Sequence, residues 1–352
     1  VDAMLKILNL TKDLGQFVAR DITLEIEKGE YMVIIGPTGA GKTILLETIA
    51  GIYSPDEGSI FIGGKDVTDL PPRERHVCMV YQDYMLFPHL NIRENIAFGL
   101  KSRGCSKDET DKKVEEIAEF LTISHLLDRK PDTLSGGEQQ RTAIARALVM
   151  DPVVLLLDEP LSALDGRTRD KLRKELKHLH AHYRITVIHV THNFEEVFSL
   201  ADRVAVMNDG RIAQIGKPEE VFRRPNSEFI ADFVGVENLF SGICTDLDGA
   251  CAIDVDGHRI ISNTCGIGGR VYASIRPEDI LVSTEPFESS ARNRFHGKIV
   301  DIADNGTFAR ISVDAGIPFI VILTRLGFEE MALKEGDMVY LTFKASSVHV
   351  FG

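Results

Sequence analysis

No apolar stretch in this 352-residue sequence approaches the length of a membrane-crossing helix; the longest are of the kind VVLLL at 153–157. No secretory signal pattern is present either, and Val1, Asp2 and Ala3 ahead of Met4 are read as a non-native leader and set aside. The expectation is a soluble chain. Its five cysteines (Cys78, Cys105, Cys244, Cys251, Cys265) form no CxxC pair and are odd in number, so neither a disulfide framework nor a zinc site is expected. They read as structural thiols of a reducing cytosol. Positive charge is scarce: 40 Lys plus Arg against 53 Asp plus Glu leave a net charge of -13. That balance excludes a broad nucleic-acid footprint while leaving room for a local basic pocket, so small ligands or proteins are the expected partners.

The length exceeds that of one usual domain. From residue 4 to 234, short apolar strands such as MVIIG (32–36) and ITVIHVTH (185–192) alternate with amphipathic helical stretches such as DKKVEEIAEFL (111–121). This rhythm predicts an α/β unit on a largely parallel sheet. From 235 to 352, short alternating segments such as RVYASI (270–275) and MVYLTF (338–343), separated by Gly and Asp, predict a small β-barrel domain. The tail repeats itself: NLFSG (238–242) resembles NRFHG (293–297), and RVYASIRPEDILV (270–282) resembles MVYLTFKASSVHV (338–350). Two related lobes follow, about 236–285 and 286–352, the second longer by the insert TRLGFEEMALKE (324–335), with Arg276 matched to Lys344.

GPTGAGKT (36–43) fits GxxxxGK[ST] between an apolar strand and a helix. In such a loop Gly36, Pro37, Thr38, Gly39, Ala40 and Gly41 turn backbone N–H groups toward phosphate oxygens, Lys42 reaches the terminal phosphates, and Thr43 ligates Mg²⁺. VVLLLDEP (153–160) ends a buried strand in two carboxylates: Asp158 suits the Mg²⁺ shell, and Glu159 is placed to orient or deprotonate an attacking water. LSGGEQQR (134–141) supplies another helix start, where Ser135 can cap and Gly136 and Gly137 leave N–H groups open. The 36–43 loop does not need this second anion site, which therefore implies a partner.

With these motifs in order over about 230 residues, the chain resembles an ATP-binding cassette (ABC) ATPase. The resemblance implies a P-loop NTPase fold, ATP and Mg²⁺, and a head-to-tail homodimer in which each ATP lies between one subunit's 36–43 loop and the other's Ser135 to Gly137 turn. It assigns Gln82 to sensing Mg²⁺ and the attacking water, His192 to the γ-phosphate, and Asp165 in SALD (162–165) to a loop between subunits. FPHLNIRENIAFGL (87–100) corresponds to the segment that meets a membrane subunit. Two departures stand out. The aromatic that usually stacks on adenine is matched by Leu14, leaving Phe17 as the nearby ring, and Ile44 replaces a common hydroxyl.

The short stretch between Gln82 and Leu134 leaves no room for the coiled-coil insert of DNA-repair relatives, and a cassette followed by a small β domain resembles importer ATPases. SARNRFHGKIVDI (290–302) with 323–350 is similar to the molybdate-binding Mop/TOBE type of OB-like domain, and the whole chain to molybdate/tungstate importer ATPases. By position the resemblance carries oxyanion-ligand roles to Ser290, Arg292, Thr324 and Lys344, while a serine expected three residues after the threonine is Gly327. A tetrahedral dianion wants Arg, Lys and hydroxyls, which Ser290, Arg292, Asn293, Lys344, Ser346 and Ser347 also offer. Strand periodicity turns Lys344 away from its own core, so a pocket there needs a second wall.

The implied setting is the cytoplasmic face of the cell membrane, with two permease subunits, an external oxyanion-binding protein and molybdate or tungstate as a regulatory ligand. A sulfate, ferric-iron or sugar importer, or a tail that docks a regulatory protein, are the competing expectations.

Overall fold

The structure, a computed structural model, describes residues 3–247, 249–264 and 266–352. The chain divides into two units at Pro218 and Glu219. The first holds strands β1 (Ala3–Asp13), β2 (Val18–Glu27), β3 (Tyr31–Ile35), β4 (Glu57–Ile62), β5 (Lys65–Asp66), β6 (Val77–Val80), β7 (Val154–Asp158), β8 (Thr186–Val190), β9 (Arg203–Asn208) and β10 (Arg211–Gly216). Its helices are α1 (Lys42–Ala50), α2 (Ile92–Ser102), α3 (Lys107–Phe120), α4 (Gly136–Leu148), α5 (Gly166–Tyr183) and α6 (Phe194–Leu200).

Strands β3, β7 and β8 are buried at every residue, as strands covered on both faces must be. They lie in a six-stranded sheet of order β10-β9-β3-β8-β7-β6, parallel except for β10. The parallel sheet expected from the sequence is therefore present. A separate antiparallel sheet, β2-β1-β4-β5, lies beside it, and side chains from both sheets share one core with α1. Alternation along β2, with Ala19, Ile22, Leu24 and Ile26 inward, is the trace that this half-covered sheet leaves in the sequence.

The second unit begins with α7 (Pro218–Arg223, all but its first residue) and α8 (Glu228–Phe233). The sequence rhythm groups these helices with the cassette, yet His349 meets the Pro225 carbonyl at 2.9 Å and the Tyr272 hydroxyl donates to Glu228 at 2.5 Å. The strands that follow are β11 (Asn238–Leu247), β12 (Ala250–Val255), β13 (His258–Ser262), β14 (Gly269–Ile275), β15 (Leu281–Ser283), β16 (Asn293–Asp304), β17 (Phe308–Asp314), β18 (Pro318–Thr324), β19 (Met338–Phe343) and β20 (Val348–Phe351). The insert forms a helix, α9 (Arg325–Met331).

The repeat is real in three dimensions, but its halves are not self-contained. One sheet runs β13-β12-β11-β14-β20 and the other β15-β19-β16-β17-β18. The last strand of each repeat has crossed over: β20 pairs with β14, and β15 pairs with β19. Both sheets bury one joint core that includes Phe240, Phe319, Phe343 and Val350. Matched asparagines pin the exchange. Asn238 donates to the Ile320 carbonyl at 2.8 Å and accepts from its N–H at 2.7 Å, while Asn293 does the same for Ile261 at 2.9 and 2.7 Å. Each amide thus acts as one rung of a strand ladder for the opposite repeat.

The cysteine expectation needs correction. Cys244 on β11 and Cys251 on β12 are joined as a disulfide across a tight hairpin, because seven residues of separation bring both side chains to the same buried face. Cys78 and Cys105 are free thiols, and Cys265 lies outside the described residues.

Candidate functional site

Parallel sheets gather ligands at the carboxyl ends of their strands. At the end of β3 the chain turns through Gly36, which must be glycine: φ is 157° and a Cβ would run into the Met207 carbonyl. Gly41 enters α1 in the left-handed region, with φ 96°. Pro37 is half-buried, Thr38 and Gly39 are exposed, and Ala40 is buried, its carbonyl accepting from Gly210 N–H at 3.2 Å. Lys42 Nζ donates to the Gly36 and Pro37 carbonyls, both at 2.9 Å. Burial disfavours its ammonium charge and Glu159 and Asp158 favour it, for a net lowering below the ordinary lysine value. A cation held on loop carbonyls at a helix start is poised for phosphate oxygens.

Asp158 ends β7 directly across from this loop. Thr43 Oγ1 donates to its carboxylate oxygens at 3.0 and 3.2 Å. Burial raises the Asp158 carboxyl above its usual value, Thr43 opposes this, and the charge of Glu159 adds to it. A desolvated carboxylate hydrogen-bonded to a threonine is the donor set of a magnesium site completed by phosphates and water, so the residues present fit Mg²⁺. Ile44 follows half-buried, with no hydroxyl to add.

Glu159 has φ 45°, and its N–H is tied to the Val190 carbonyl at 2.9 Å. This left-handed turn carries its side chain to His192, whose Nδ1 lies 3.2 Å from Glu159 Oε2. His192 is 65% exposed and stands just beyond β8, open to a ligand. Beneath it a buried chain links the Tyr31 hydroxyl to His189 Nδ1 at 2.9 Å, with His189 Nε2 3.2 Å from Glu196. Gln82 is exposed two residues past β6, beside β7 in the sheet. The structure therefore brings Lys42, Thr43, Asp158, Glu159 and His192 to one end of the sheet, with Gln82 on its rim.

Phe17 is half-buried. Its ring packs over Gly41 and against the core, where a Cβ on that glycine would strike it, whereas Leu14 is 38% exposed. Sequence reasoning also missed Arg75. This fully buried guanidinium donates to Thr48, Ile49, Leu70 and Thr68 carbonyls at 2.8–3.1 Å, closing the C-terminal end of α1 and holding the phosphate-loop helix in place. Arginine capping carbonyls across 27 residues leaves no local sequence signal.

The second anion-binding helix start is built on α4. Ser135 and Glu138 close a capping box, Ser135 N–H and Oγ donating to Glu138 at 2.8 and 2.7 Å. Ser135 and Gly136 are exposed, while Gly137 is buried so tightly against Thr168 that a Cβ would not fit. Asp165 caps α5 by accepting from Thr168 N–H at 3.1 Å, and hydrogen bonding from the Thr168 side chain, with this backbone bond, holds its carboxyl below the usual range. Arg141 locks α4 to α5 through Glu175 at 2.8 and 3.1 Å. In the 87–100 segment the buried Asn95 side chain bonds Phe87, Leu90 and Asn91 carbonyls, and Met85 and Phe98 are about half exposed.

In the tail, the pairing of Asn293 with Phe343 puts Arg292 and Lys344 at the same end of neighbouring strands, both exposed, with Ser290 just upstream. Thr324 stands elsewhere. It caps α9 by accepting from Gly327 N–H at 3.3 Å, and its strand register leads to the far end of β16, about 35 Å of strand away. Ser346 is exposed on the turn after Lys344. Asn293 leaves the expected ligand set: it is 1% exposed and its amide is consumed by Ile261.

Comparison with known proteins agrees with this geometry. The ABC transporter family profile matches residues 19–162 and the TOBE domain profile residues 289–350. The chain is 46% identical over 349 residues to the molybdate/tungstate import ATP-binding protein WtpC of Pyrococcus abyssi, covering 99% of this chain and 100% of that one. It is 42% identical over 325 residues to the Fe(3+) ions import ATP-binding protein FbpC 1 of Rhizobium meliloti, covering 89% of each. Among solved structures, a dimeric post-hydrolysis ATP-binding cassette bound to ADP and Pi matches with TM-score 0.55 and 32% identity, over 61% of this chain and 99% of that one. A phosphate loop with its magnesium carboxylate, a second helix start left open and a TOBE tail meet here in one chain, which belongs to the ATP-binding import subunits of the ABC transporter family.

Proposed function

We propose that this chain is the ATP-hydrolysing motor of a molybdate/tungstate importer, and that it works as a dimer with two membrane permease subunits on the cytoplasmic face of the membrane. The observation that carries the motor reading is the open helix start at Ser135 and Gly136, which the phosphate loop of the same chain does not use. A second copy placed head to tail supplies it to the bound ATP, with Asp165 in the loop between subunits. ATP then joins the halves and hydrolysis releases them.

In this reading Lys42 leaves its loop carbonyls for the terminal phosphates. Thr43, Asp158 and Gln82 hold Mg²⁺, which neutralises charge on the phosphate oxygens when bound. Glu159 takes the proton of the attacking water, and His192 steadies both that carboxylate and the γ-phosphate. Met85, Phe98 and the 87–100 segment form the face offered to the permease. An external oxyanion-binding protein delivers the cargo.

The tail serves as a cargo sensor. Ser290, Arg292, Lys344 and Ser346 supply one wall, and Thr324, at the other end of its own sheet, contributes to a wall in a second copy. Accumulated oxyanion then favours the arrangement in which the ATPase halves are apart, through its unequal affinity for the two states.

The test uses the complete transporter in liposomes. ATP-driven uptake of tungstate is expected, and Glu159→Gln lowers turnover by about 10²–10⁴ while ATP binding persists; activity within tenfold of wild type refutes the base assignment. Saturating internal tungstate slows the wild type and spares Lys344→Ala. Undiminished wild-type activity at saturating tungstate refutes the sensor.

A further inference from the structure

The tail contains a polar cavity of about 150 Å³ whose lining includes neither Arg292 nor Lys344. It is walled by Arg223 at the end of α7, Arg224 beside it, Ser274 and Arg276 at the end of β14, Asp279, and Ser346 and Ser347 ahead of β20. Three arginines and one aspartate thus line it, with Glu278 also close enough to favour the charge of Arg276. His349 also lines it, and its ring is committed to the Pro225 carbonyl at 2.9 Å, which fixes the segment after α7 against the exchanged strand β20.

Arg276 is the repeat counterpart of Lys344, but it is half-buried rather than exposed. Burial disfavours its charge, Glu278 and Asp279 favour it, and the neighbouring Arg223 opposes it. The acid that faces it across the β11–β14 register, Glu237, is already bound to Arg310 at 2.7 Å. Like charges held together in a half-desolvated hollow are costly unless an anion lies between them. Guanidinium forks match the oxygen edges of a tetrahedral anion, and the hydroxyls of Ser274 and Ser347 can donate to the rest. The hollow is also well above the about 10–15 Å³ that a single water needs.

We propose that this cavity binds one tetrahedral oxyanion dianion, gripped by Arg223 and Arg276. Occupancy ties α7, the first helix after the last cassette strand, to both exchanged halves of the tail. The inference shares its ligand class with the sensor at Lys344, and Ser346 lies on the edge of both, but its arginines are different and it does not depend on Lys344.

Isothermal titration of the full chain with sodium tungstate, sulfate and phosphate in separate runs tests it, using wild type, Arg276→Gln, Arg223→Gln and Lys344→Ala. The expected result is that, for at least one dianion, one site per chain persists when Lys344→Ala has removed the sensor site, and that this persisting site is weakened by about tenfold or more in both arginine variants. Heat with tungstate identifies the cargo as the ligand; heat with sulfate or phosphate alone identifies an ordinary cytoplasmic anion. Arg223 is exposed on its helix, so its variant keeps the test decisive if Arg276→Gln melts early. The proposal is overturned if both arginine variants titrate like wild type, or if Lys344→Ala removes all dianion binding while they retain it.

Discussion

Replacing Asn293 by alanine distinguishes a structural rung from an anion ligand. The substitution removes the bonds to the Ile261 carbonyl (2.9 Å) and from its N–H (2.7 Å) in a side chain that is 1% exposed. Each bond contributes about 1 kcal/mol net, and an orphaned backbone group costs about 1–3 kcal/mol if water cannot reach it. Ile261 is half-buried, so water repairs part of the loss, and the expected destabilisation is about 2–4 kcal/mol. For a unit of this size, that amounts to a fall in Tm on the order of 10 °C. Scanning calorimetry of the full chain, following the transition of the second unit, reads it. Asn238→Ala, which cuts the matching rung to Ile320, should give a shift of similar size. A Tm change under about 2 °C for Asn293→Ala, with tungstate binding lost, would return Asn293 to the ligand set and refute the reasoning.

Two further outcomes can be checked directly. Leu14→Trp offers adenine an aromatic face at a position more exposed than that of Phe17, packed over Gly41; ATP affinity measured by fluorescence titration should rise about threefold to tenfold, and no gain would mean that the base lies elsewhere. Burial pushes the Cys78 thiol up to about 11, with Arg103 and Arg146 pulling the other way, so at pH 8 roughly one thiol in a thousand is ionised. Mass spectrometry should find iodoacetamide labelling of Cys78 in the native chain about a hundredfold slower than in the unfolded chain; equal rates would contradict the burial.

The chemistry of the first unit was legible because phosphate dictates local backbone. Gly36 and Gly41 stand where only glycine fits, and the strand ending in Asp158 and Glu159 could be recognised from its apolar run. Partners of those elements were not legible. The alternation in VARDITLEIE marks a half-covered strand but does not say which strands β2 pairs with, and nothing local links Arg75 to the end of α1. In the tail, periodicity identified β14 and β19 and the alignment of repeats identified their kinship, yet neither says which sheet a terminal strand enters. Asn293 was misread for a related reason. In a run of Arg and Lys an amide looks like another ligand, and only the three-dimensional register reveals its duty to Ile261.

The exchange of β15 and β20 also constrains how such a tail could have arisen. A single repeat, standing alone, would have its last strand extended with no sheet of its own to enter and its asparagine facing no backbone. Two identical copies related by a twofold axis satisfy both needs at once, each lending its strand to the other. The duplicated tail therefore has the arrangement that two such copies would have, held in one chain, and its twin positions 276 and 344 differ in setting, one half-buried and one facing solvent.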